Sequence, residues 1–329
     1  MKYILGIDGG GTKSHLTIFD ENGKCISSLV YGTLNHENME ESYTELERRL
    51  NETINKLLSD ARLTVNDITY SVLGIAGVDT KAQQEKISNM VTRIGLQNIT
   101  VCNDAFLGVA AGCPSCVGIC VINGTGFKLA AIDNSGILLD TCGLGAYTTD
   151  WGGGPFYGNR ACGEVYNALY KNAKPTIMQE MVFDVIGIKE KEEYLDRIAD
   201  ILYGESKIDI IALNSIPFKA AQKGDKVAKK ILKASVKQYV GAIIYLATNL
   251  DFPQEKTLYI TLAGSVFVKQ EIKLLQEMIK KRLAKKLNNR PIEYNTLAAP
   301  PVAGAIKWAA LKAGFDIDIT KIEDELSNL

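Results

Sequence analysis

The sequence predicts an α/β fold of two similar domains around a cleft, and three observations support this class. The chain has 329 residues, and at roughly 150 residues per domain this length favours two domains. A series of three short strands, followed by helices and further strands, occurs twice along the chain. In both series a glycine-rich turn directly follows the first strand.

The first series begins near the N-terminus. Short apolar runs bounded by turn residues predict its strands. These strands cover residues 3–8, 14–20, 25–31, 68–76 and 99–103. Apolar residues at helical spacing, with charged residues between them, predict helices over 39–61 and 81–94. The predicted order is therefore βββαβαβ.

The second series follows a short predicted helix over 105–112 and a turn at 113–116. Its predicted strands cover residues 117–122, 128–133, 137–142, 257–262 and 292–294. Mostly helical sequence runs over 163–250, and further helices are predicted over 266–287 and 303–313. The second series thus repeats the first, with a long helical insertion after its third strand.

Such a repeat indicates internal duplication of a βββαβα unit. The turn around Pro114 separates the two copies, so we expect an N-terminal domain at 1–114 and a C-terminal domain at 115–329. The last helix has the chain length to pack back on the N-terminal domain. The cleft between the two domains is the expected ligand site.

The composition is that of an ordinary globular protein, with 46% apolar and 23% charged residues. Its 37 basic and 38 acidic side chains leave a net charge of −1. A protein that binds nucleic acid through its overall charge is usually strongly basic, so we expect no nucleic-acid partner. Glycine is in slight excess, with 29 residues against about 23 expected at a usage of about 7%.

The sequence favours a cytoplasmic protein with reduced thiols. The apolar run at the N-terminus is too short for a secretory signal and is interrupted by Asp8, and seven is an odd number of cysteines. The uncharged stretch 105–127 is long enough to cross a membrane, but it contains five glycines and Pro114. We interpret it as a helix, a turn and a buried strand, and expect no membrane partner.

Three consecutive glycines mark the first candidate binding motif, Asp8-Gly9-Gly10-Gly11-Thr12-Lys13. Glycines let the backbone approach an anion closely, and the amides of such a turn can surround it. Thr12 adds a hydroxyl, Lys13 adds a cation, and Asp8 could hold Mg²⁺ through water. A tight hairpin turn without any ligand would also explain the glycines.

The second motif, Asn123-Gly124-Thr125-Gly126, occupies the same place in the second series. Either turn alone is weak support for a ligand site. Two such turns facing each other across a cleft could hold a triphosphate from both sides. The pair therefore favours a nucleotide.

A carboxylate follows the predicted strand 99–103, at Asp104. The carboxyl end of a central strand lies at the crevice of an α/β sheet, where a carboxylate could take the proton of an attacking hydroxyl. Aspartate is also a favoured N-cap, and a cap for the helix over 105–112 would explain Asp104 without any chemistry. The two roles are compatible.

A fourth motif ends the predicted strand 257–262. Gly264 and Ser265 stand between this strand and a helix, an arrangement that suits the packing of an adenosine against the backbone, with Ser265 as the cap. Small residues over 301–305 permit either close helix packing or a hinge.

Together these segments resemble a known superfamily. The motifs at 8–13, 103–105, 124–126, 263–265 and 301–305 occur in the order found in the actin-like sugar kinases and heat-shock ATPases. More narrowly, they are similar to the N-acetylglucosamine kinases and the BadF/BadG/BcrA/BcrD-type ATPases. The resemblance extends over residues 4–312 and implies two actin-like, ribonuclease H-like domains.

The resemblance also implies an activity, the ATP- and Mg²⁺-dependent phosphorylation of an amino sugar. N-acetylglucosamine is the leading substrate, and N-acetylmuramic acid and glucosamine are alternatives. Asp104 would be the general base for the 6-hydroxyl of the sugar. The residues that would bind ATP are Gly10, Gly11, Thr12, Lys13, Gly124, Thr125, Gly126, Gly264 and Ser265. A homodimer is likewise expected from the resemblance.

Two further segments are similar to the sugar loops of these kinases. Asn35 matches the asparagine of an Asn-His loop, and Asp150 matches the first aspartate of an Asp-Glu-Gly-Ser-Gly loop. The residues that would line the sugar site are Asn35, Asp104, Gly126, Phe127 and Asp150. The chain departs from the family pattern at three positions, where Phe127 replaces a serine, Trp151 a glutamate and Gly153 a serine.

Two other functions stay open at this point. Activator ATPases of 2-hydroxyacyl-CoA dehydratases or benzoyl-CoA reductases are relatives that hold an iron–sulfur cluster across a dimer, with two cysteines from each subunit. A catalytically silent sugar sensor is the other alternative. Cys113, Cys116 and Cys120 lack a nearby fourth ligand, so we interpret them as core thiols, and His15 as a packed histidine.

Overall fold

A computed structural model describes residues 1–204, 207–268, 273–288, 290–297 and 299–328. The protein contains two five-stranded mixed sheets with helices packed against them. The predicted α/β class and its duplicated strand pattern are confirmed.

The first sheet consists of β1 (Tyr3–Gly9), β2 (Ser14–Asp20), β3 (Cys25–Tyr31), β4 (Ile68–Ile75) and β5 (Ile99–Cys102). Its order is β3-β2-β1-β4-β5. The β1–β2 and β2–β3 pairs are antiparallel, whereas β4 is parallel to both β1 and β5. Leu5 and Ile7 of β1 face one hydrophobic cluster and Ile4 faces another, because packing covers both faces of this sheet.

Two helices, α1 (Ser42–Ala61) and α2 (Lys81–Ile94), pack in the cluster that contains Leu5 and Ile7. The predicted apolar stripe of α1 is buried there. A capping box fixes the start of α2, since Thr80 Oγ1 accepts from the Gln83 amide and Gln83 Oε1 accepts from the Thr80 amide. Gly95 ends α2 in the left-handed conformation.

The chain leaves the first sheet through α3 (Ala105–Gly112) and enters the second. The second sheet consists of β6 (Gly118–Asn123), β7 (Phe127–Ile132), β8 (Leu138–Cys142), β9 (Leu258–Ala263) and β10 (Ile292–Thr296). Its order is β10-β9-β6-β7-β8. The pairing directions match those of the first sheet strand for strand, so the two glycine turns occupy equivalent positions.

Among the described residues between β8 and β9 there are five α-helices. They are α4 (Gly154–Tyr170), α5 (Met178–Ile186), α6 (Tyr194–Tyr203), α7 (Ile210–Gln222) and α8 (Lys226–Asn249). The helical segment begins before the predicted position 163, because Gly153 takes a left-handed φ of +86° and Pro155 suits a first turn. Throughout the described parts of the chain, no helix combines the length and apolar content that a bilayer span requires.

The helix predicted over 266–287 is found as two helices, α9 (Ser265–Val268) and α10 (Leu274–Lys286); residues 269–272 of that prediction lie outside the described residues. Two further helices follow, α11 (Pro301–Ala313) and α12 (Ile319–Ser327). The sequence did not predict α12, which buries Ile322. A carboxylate oxygen of Glu325 accepts from the Cys25 amide and so links α12 to β3.

The helices α3 and α11 are packed in one hydrophobic cluster with residues of both sheets. In α3, Gly108 and Gly112 lie against Cys120 of β6 and Thr261 of β9. Gly304 of α11 crosses α3 so closely that a Cβ there would lie 2.1 Å from the carbonyl oxygen of Leu107. The last helices of the chain also contact β1, β4 and β3. The domain boundary near Pro114 stays a prediction.

We expect Gly304→Ala to destabilise the protein by roughly 1–3 kcal/mol, because two helix backbones must move apart to admit a methyl group. Gly241→Ala is the matched control, since Gly241 also lies within a helix but has no neighbour within 4 Å of an added Cβ. The control should stabilise the protein by about 0.5–1 kcal/mol. Chemical denaturation of both variants measures the difference; equal effects would contradict the close crossing.

Candidate active site

The first glycine turn joins β1 to β2 at the carboxyl end of a central strand. Asp8 pairs with His15 of β2 and with Gly74 of β4. A Cβ at Gly10 would lie 2.5 Å from the carbonyl oxygen of Lys13, a contact that only glycine avoids. The backbone at Gly10 therefore lies directly against the backbone of Lys13, and Lys13 is exposed.

The loop 33–38 holds the carbonyl groups of this turn. Thr33 Oγ1 donates to the carbonyl oxygen of Gly10 at 3.2 Å. Asn38 Nδ2 donates to the carbonyl oxygen of Gly11 at 2.7 Å. Because these carbonyl oxygens are paired, the groups that the turn can offer to a ligand are its amides. The loop that was expected to bind sugar is therefore fastened directly to the loop that was expected to bind phosphate.

Asn35 lies inside this loop and is buried. Its Oδ1 accepts from the backbone amide of Glu37 at 2.9 Å, and the backbone amide of Asn35 donates to Thr33 Oγ1 at 3.0 Å. Gly77 packs against it so closely that a Cβ there would lie 2.4 Å from Asn35 Oδ1. The side-chain oxygen of Asn35 is engaged in shaping the loop, and its role as a sugar ligand stays a prediction.

Asp104 takes the predicted N-cap position of α3, although its side chain makes no capping hydrogen bond among the described residues. The Ala105 amide donates to Oδ1 of the preceding Asn103 at 3.0 Å, and Asn103 Nδ2 donates to Asp79 Oδ1 at 3.0 Å. Burial raises the pKa of the Asp104 carboxyl, and the nearby Ala105 amide opposes that rise, so the carboxylate lies close to the start of the helix. Its role as a general base stays a prediction.

Asp8 and Asp104 influence each other electrostatically. Burial and the Asp104 carboxylate together raise the pKa of Asp8 to about 7. Burial also raises the pKa of Asp104, while the ammonium group of Lys128 opposes that rise and Asp79 adds to it. Because Asp8 and Asp104 are carboxylates close to each other and shielded from water, a cation bound between or beside them would be stabilised.

A magnesium ion fits this donor set. In the described parts of the chain, no group of three or more acidic, histidine or cysteine side chains is arranged to hold a metal. Magnesium is commonly bound by one or two carboxylates together with waters and substrate phosphates, and does not need a cage of protein ligands. Asp8, with its pKa raised by burial and by Asp104, would hold the ion through water.

An ion pair between the two halves of the chain lies beside Asp104. Lys128 Nζ is 2.5 Å from Asp79 Oδ1 and 2.9 Å from Asp140 Oδ2. Asp79 follows β4 of the first sheet, whereas Lys128 and Asp140 belong to β7 and β8 of the second. The Lys128 side chain is only 15% exposed, so water screens this bridge less than it screens a surface ion pair.

Backbone contacts with residues 152–154 fix the second turn, residues 123–126. The Gly153 amide donates to Asn123 Oδ1 at 2.7 Å, and the Gly154 amide donates to the carbonyl oxygen of Gly124 at 2.7 Å. A Cβ at Gly153 would lie 2.5 Å from the carbonyl oxygen of Thr125. The segment assigned by resemblance to a sugar loop is therefore also part of the wall of the second turn.

A third glycine, Gly264, contacts the same turn. Its φ is +91°, and a Cβ there would lie 2.5 Å from the carbonyl oxygen of Asn123 and 2.8 Å from the amide nitrogen of Gly124. Ser265 follows and is exposed. Gly124, Gly264 and Ser265, which the sequence assigned to the nucleotide, thus lie together.

Asp150 holds its own loop in shape. Its Oδ2 accepts from the amides of Gly143 and Gly145, each at 2.8 Å, and its Oδ1 accepts from Thr148 Oγ1 at 2.8 Å. This loop lines a cavity of about 500 Å³ beside the second turn. No hydrogen bond between described residues joins Asp150 to Asn35, the other predicted sugar ligand, and both assignments stay predictions.

Phe127, the departure from the family serine, is buried in the core. Its ring centroid lies 4.4 Å from that of Tyr239, and it also lines the cavity next to Asp150. Trp151 lines the same cavity and is partly exposed. The cavity therefore has aromatic walls where the family pattern has polar side chains.

A second cavity of about 690 Å³ adjoins the second turn. Thr125 and Ser265 line it together with Ile210 and Ile211, the first residues of α7. These isoleucines are 50% and 81% exposed. Exposed aliphatic side chains of this kind suit the apolar faces of a purine base, and the role of the second turn in phosphate binding stays a prediction.

Lys128 and the isoleucines of α7 lie beside the candidate site, although the sequence patterns did not single them out. One signal was present for Lys128, because it follows the second glycine motif much as Lys13 ends the first. Asp209 is a residue type that favours a helix N-cap, and its Oδ1 accepts from the Ala212 amide. Nothing in that pattern indicated which face of α7 would be exposed.

The histidine and the cysteines interpreted from the sequence as packed side chains lie in or against the core. His15 is partly buried, with Nε2 2.8 Å from Ser28 Oγ. Cys113 Sγ lies 3.3 Å from Thr261 Oγ1, and Cys120 packs against Gly108. These contacts agree with the interpretation of packed side chains.

Comparison with known proteins gives matches along most of the chain. The model of the BadF/BadG/BcrA/BcrD ATPase family matches residues 5–309. An N-acetylmuramic acid/N-acetylglucosamine kinase of Clostridium acetobutylicum is 29% identical over 267 residues, which are 81% of this chain and 86% of that protein. An N-acetyl-D-glucosamine kinase of Dictyostelium discoideum is 22% identical over 92% of this chain and 96% of its own.

The fold itself has solved counterparts. The crystal structure of a proposed N-acetylglucosamine kinase from Chromobacterium violaceum aligns with a TM-score of 0.59 and 19% sequence identity. The alignment covers 94% of this chain and 99% of that one. At this identity the likeness shows a shared two-sheet fold.

We expect Lys128→Met to lower the free energy of unfolding by about 1–3 kcal/mol, because it leaves two partly buried carboxylates without their cation. Lys56→Met is the matched control, since Lys56 forms an exposed i,i+4 pair with Asp60 worth at most about 0.5 kcal/mol. Urea denaturation of both variants gives the comparison. If the two substitutions cost the same, the bridge does not join the halves of the protein.

Proposed function

The chain belongs to the BadF/BadG/BcrA/BcrD ATPase family, as its motifs predicted, and we propose that it is an ATP-dependent kinase of an amino sugar. N-acetylglucosamine is the leading substrate, and N-acetylmuramic acid is the alternative that the name of the Clostridium acetobutylicum relative supplies. The phosphoryl group goes to the 6-hydroxyl of the sugar, with Asp104 as the general base.

One observation carries the proposal, namely that glycine turns join equivalent strands of two sheets with the same topology. At the β1–β2 turn Gly10 lies against the backbone of Lys13, and at the β6–β7 turn Gly153 and Gly264 lie against the backbone of residues 123–125. The bridge from Lys128 to Asp79 links the strand after the second turn to the first half of the chain. This arrangement supports a polyphosphate held between two sets of amides.

The nucleotide site would divide between these turns. Amides of Gly10 and Gly11, with the Thr12 hydroxyl and the Lys13 ammonium group, would bind the β- and γ-phosphates from the first half. From the second half, the Gly126 amide and the Thr125 hydroxyl would bind phosphate beside Gly124, whose own amide donates to the carbonyl oxygen of Gly126 at 3.0 Å. The cavity beside Gly264 and Ser265, with exposed Ile210 and Ile211, suits the adenosine.

Asp104 is the proposed base because it is a carboxylate two residues after the carboxyl end of β5, close enough to Lys128 and Asp79 for both to affect its pKa. Burial raises its pKa toward the range in which a carboxylate accepts a proton efficiently. Mg²⁺ held by Asp8 would neutralise charge that develops on the transferred phosphoryl group. Asn35 and Asp150, with Gly126 and Phe127, would bind the sugar hydroxyl and acetyl groups.

The cysteines count against the activator ATPase as the function. An iron–sulfur cluster shared by two subunits needs thiols that reach the surface of each subunit. Four thiols are instead at most 2% exposed, those of Cys102, Cys113, Cys116 and Cys120. A catalytically silent sugar sensor would bind the sugar without releasing ADP from ATP, whereas the kinase would release ADP.

We expect Asp104→Ala to lower sugar-dependent ADP release by roughly 10²–10⁴-fold, because the hydroxyl loses its proton acceptor. A panel of N-acetylglucosamine, N-acetylmuramic acid and glucosamine with Mg-ATP measures the rate, and ATP affinity of the variant should be unchanged. Asp133→Asn is a control in the same half of the chain, since Asp133 caps the turn after β7. If no sugar raises ADP release above the background, the kinase proposal fails; if Asp104→Ala keeps full turnover, the assigned base fails.

We expect Gly264→Ala to weaken ATP binding at least about tenfold, which corresponds to about 1.4 kcal/mol, because the methyl group displaces the second turn. Gly136→Ala is the matched control. Gly136 has a similar positive φ of +79° but no neighbour within 4 Å of an added Cβ, so it shares only the backbone strain of about 1–2 kcal/mol. Titration calorimetry with ATP compares the two variants, and equal affinities would exclude Gly264 from the nucleotide site.

A further inference from the structure

A chain of polar groups is buried directly beneath the second glycine turn. Asn123, at the end of β6, is fully buried, as are Tyr157 of α4 and Tyr239 of α8. Asn123 Nδ2 lies 2.7 Å from the Tyr239 hydroxyl, which in turn lies 2.8 Å from the Tyr157 hydroxyl. Buried polar groups are retained in proteins when they bond to each other, so these three act as one unit.

One backbone amide sets the direction of two of these hydrogen bonds. Gly153 N–H can only donate, and it points at Asn123 Oδ1 at 2.7 Å. The other end of the Asn123 amide is therefore the NH₂ group, which donates to the Tyr239 oxygen. Between Tyr239 and Tyr157 either hydroxyl can donate. Burial raises the pKa of both tyrosines, so both hydroxyls keep their protons.

Tyr239 contacts Gly152 directly and reaches the second turn through the residues on either side of it, Asn123 and Phe127. Its hydroxyl orients the side-chain amide of Asn123, whose Oδ1 accepts from the Gly153 amide. The next residue, Gly154, donates its amide to the carbonyl oxygen of Gly124. Gly152 packs on the hydroxyl itself, since a Cβ there would lie 2.6 Å from it. The ring of Tyr239 also supports Phe127, which follows the turn.

We propose that Tyr239 is a positioning residue for nucleotide binding, and that it acts through the side-chain amide of Asn123. The inference rests on the proposed function, because the second turn is the proposed phosphate site. Without the Tyr239 hydroxyl, the Asn123 NH₂ group loses its acceptor in a fully buried place. The amide is then free to rotate away from Gly153, and the two glycine segments lose their common anchor.

The test compares Tyr239→Phe with Tyr157→Phe. Both variants remove one buried hydroxyl and keep an aromatic ring, but only the first removes the hydroxyl that lies 2.7 Å from Asn123 Nδ2. Tyr239→Phe should raise the KM for ATP about tenfold and leave the KM for the sugar within about twofold, since one unsatisfied buried amide is the expected loss. Tyr157→Phe should lower thermal stability to a similar extent while the KM for ATP stays within about twofold of wild type.

A double-mutant cycle tests whether Tyr239 acts through Asn123. Asn123→Ala should weaken ATP binding at least as much as Tyr239→Phe, and the double variant should be no weaker than Asn123→Ala alone. Additive losses would overturn the inference, as would a Tyr239→Phe variant that loses thermal stability but keeps wild-type affinity for ATP. Calorimetric titration with ATP in the absence of sugar gives these affinities even if no sugar is phosphorylated, so failure of the inference and failure of the kinase proposal are separate results.

Discussion

Direct backbone contact at glycines is the constraint on which the candidate site depends. Gly153 and Gly264 both adopt positive φ values, and each lies where a Cβ would be 2.5 Å from a carbonyl oxygen of residues 123–125. No other residue type fits such contacts without moving the backbone. Three separate segments of the chain therefore meet at one turn, and the buried amide of Asn123 holds two of them together.

The electrostatics of the cleft explain why a phosphate-handling protein has a net charge of only −1. Backbone amides carry no formal charge, yet turns closed by paired carbonyl groups present them as an anion site. The one buried cation described at the cleft, Lys128, is shared by Asp79 and Asp140. Asp8 and Asp104 remain as carboxylates that favour a divalent cation.

Much of the fold followed from local patterns in the sequence. The strands of both meanders, the apolar stripe of α1 and the two glycine turns are all local features, and each was found where its pattern predicted it. Contacts between distant segments were not predictable in this way. The bond between Asn123 and Tyr239 joins residues 116 positions apart, and the bridge from Lys128 to Asp79 spans 49. At the start of α3, Asp104 was expected at the N-cap and is found there. The hydrogen bond that the Ala105 amide donates to Asn103 was not predictable, because adjacent Asn103 and Asp104 are both good caps.

The most direct test of the account is to identify the phosphorylated product. Incubation of the protein with Mg-ATP and ¹³C-labelled N-acetylglucosamine, followed by ³¹P and ¹³C NMR, reports both the transfer and its position on the sugar. The account predicts a phosphate ester on the 6-carbon, formed in equal amount to ADP. Inorganic phosphate released from ATP without any sugar phosphate would contradict it.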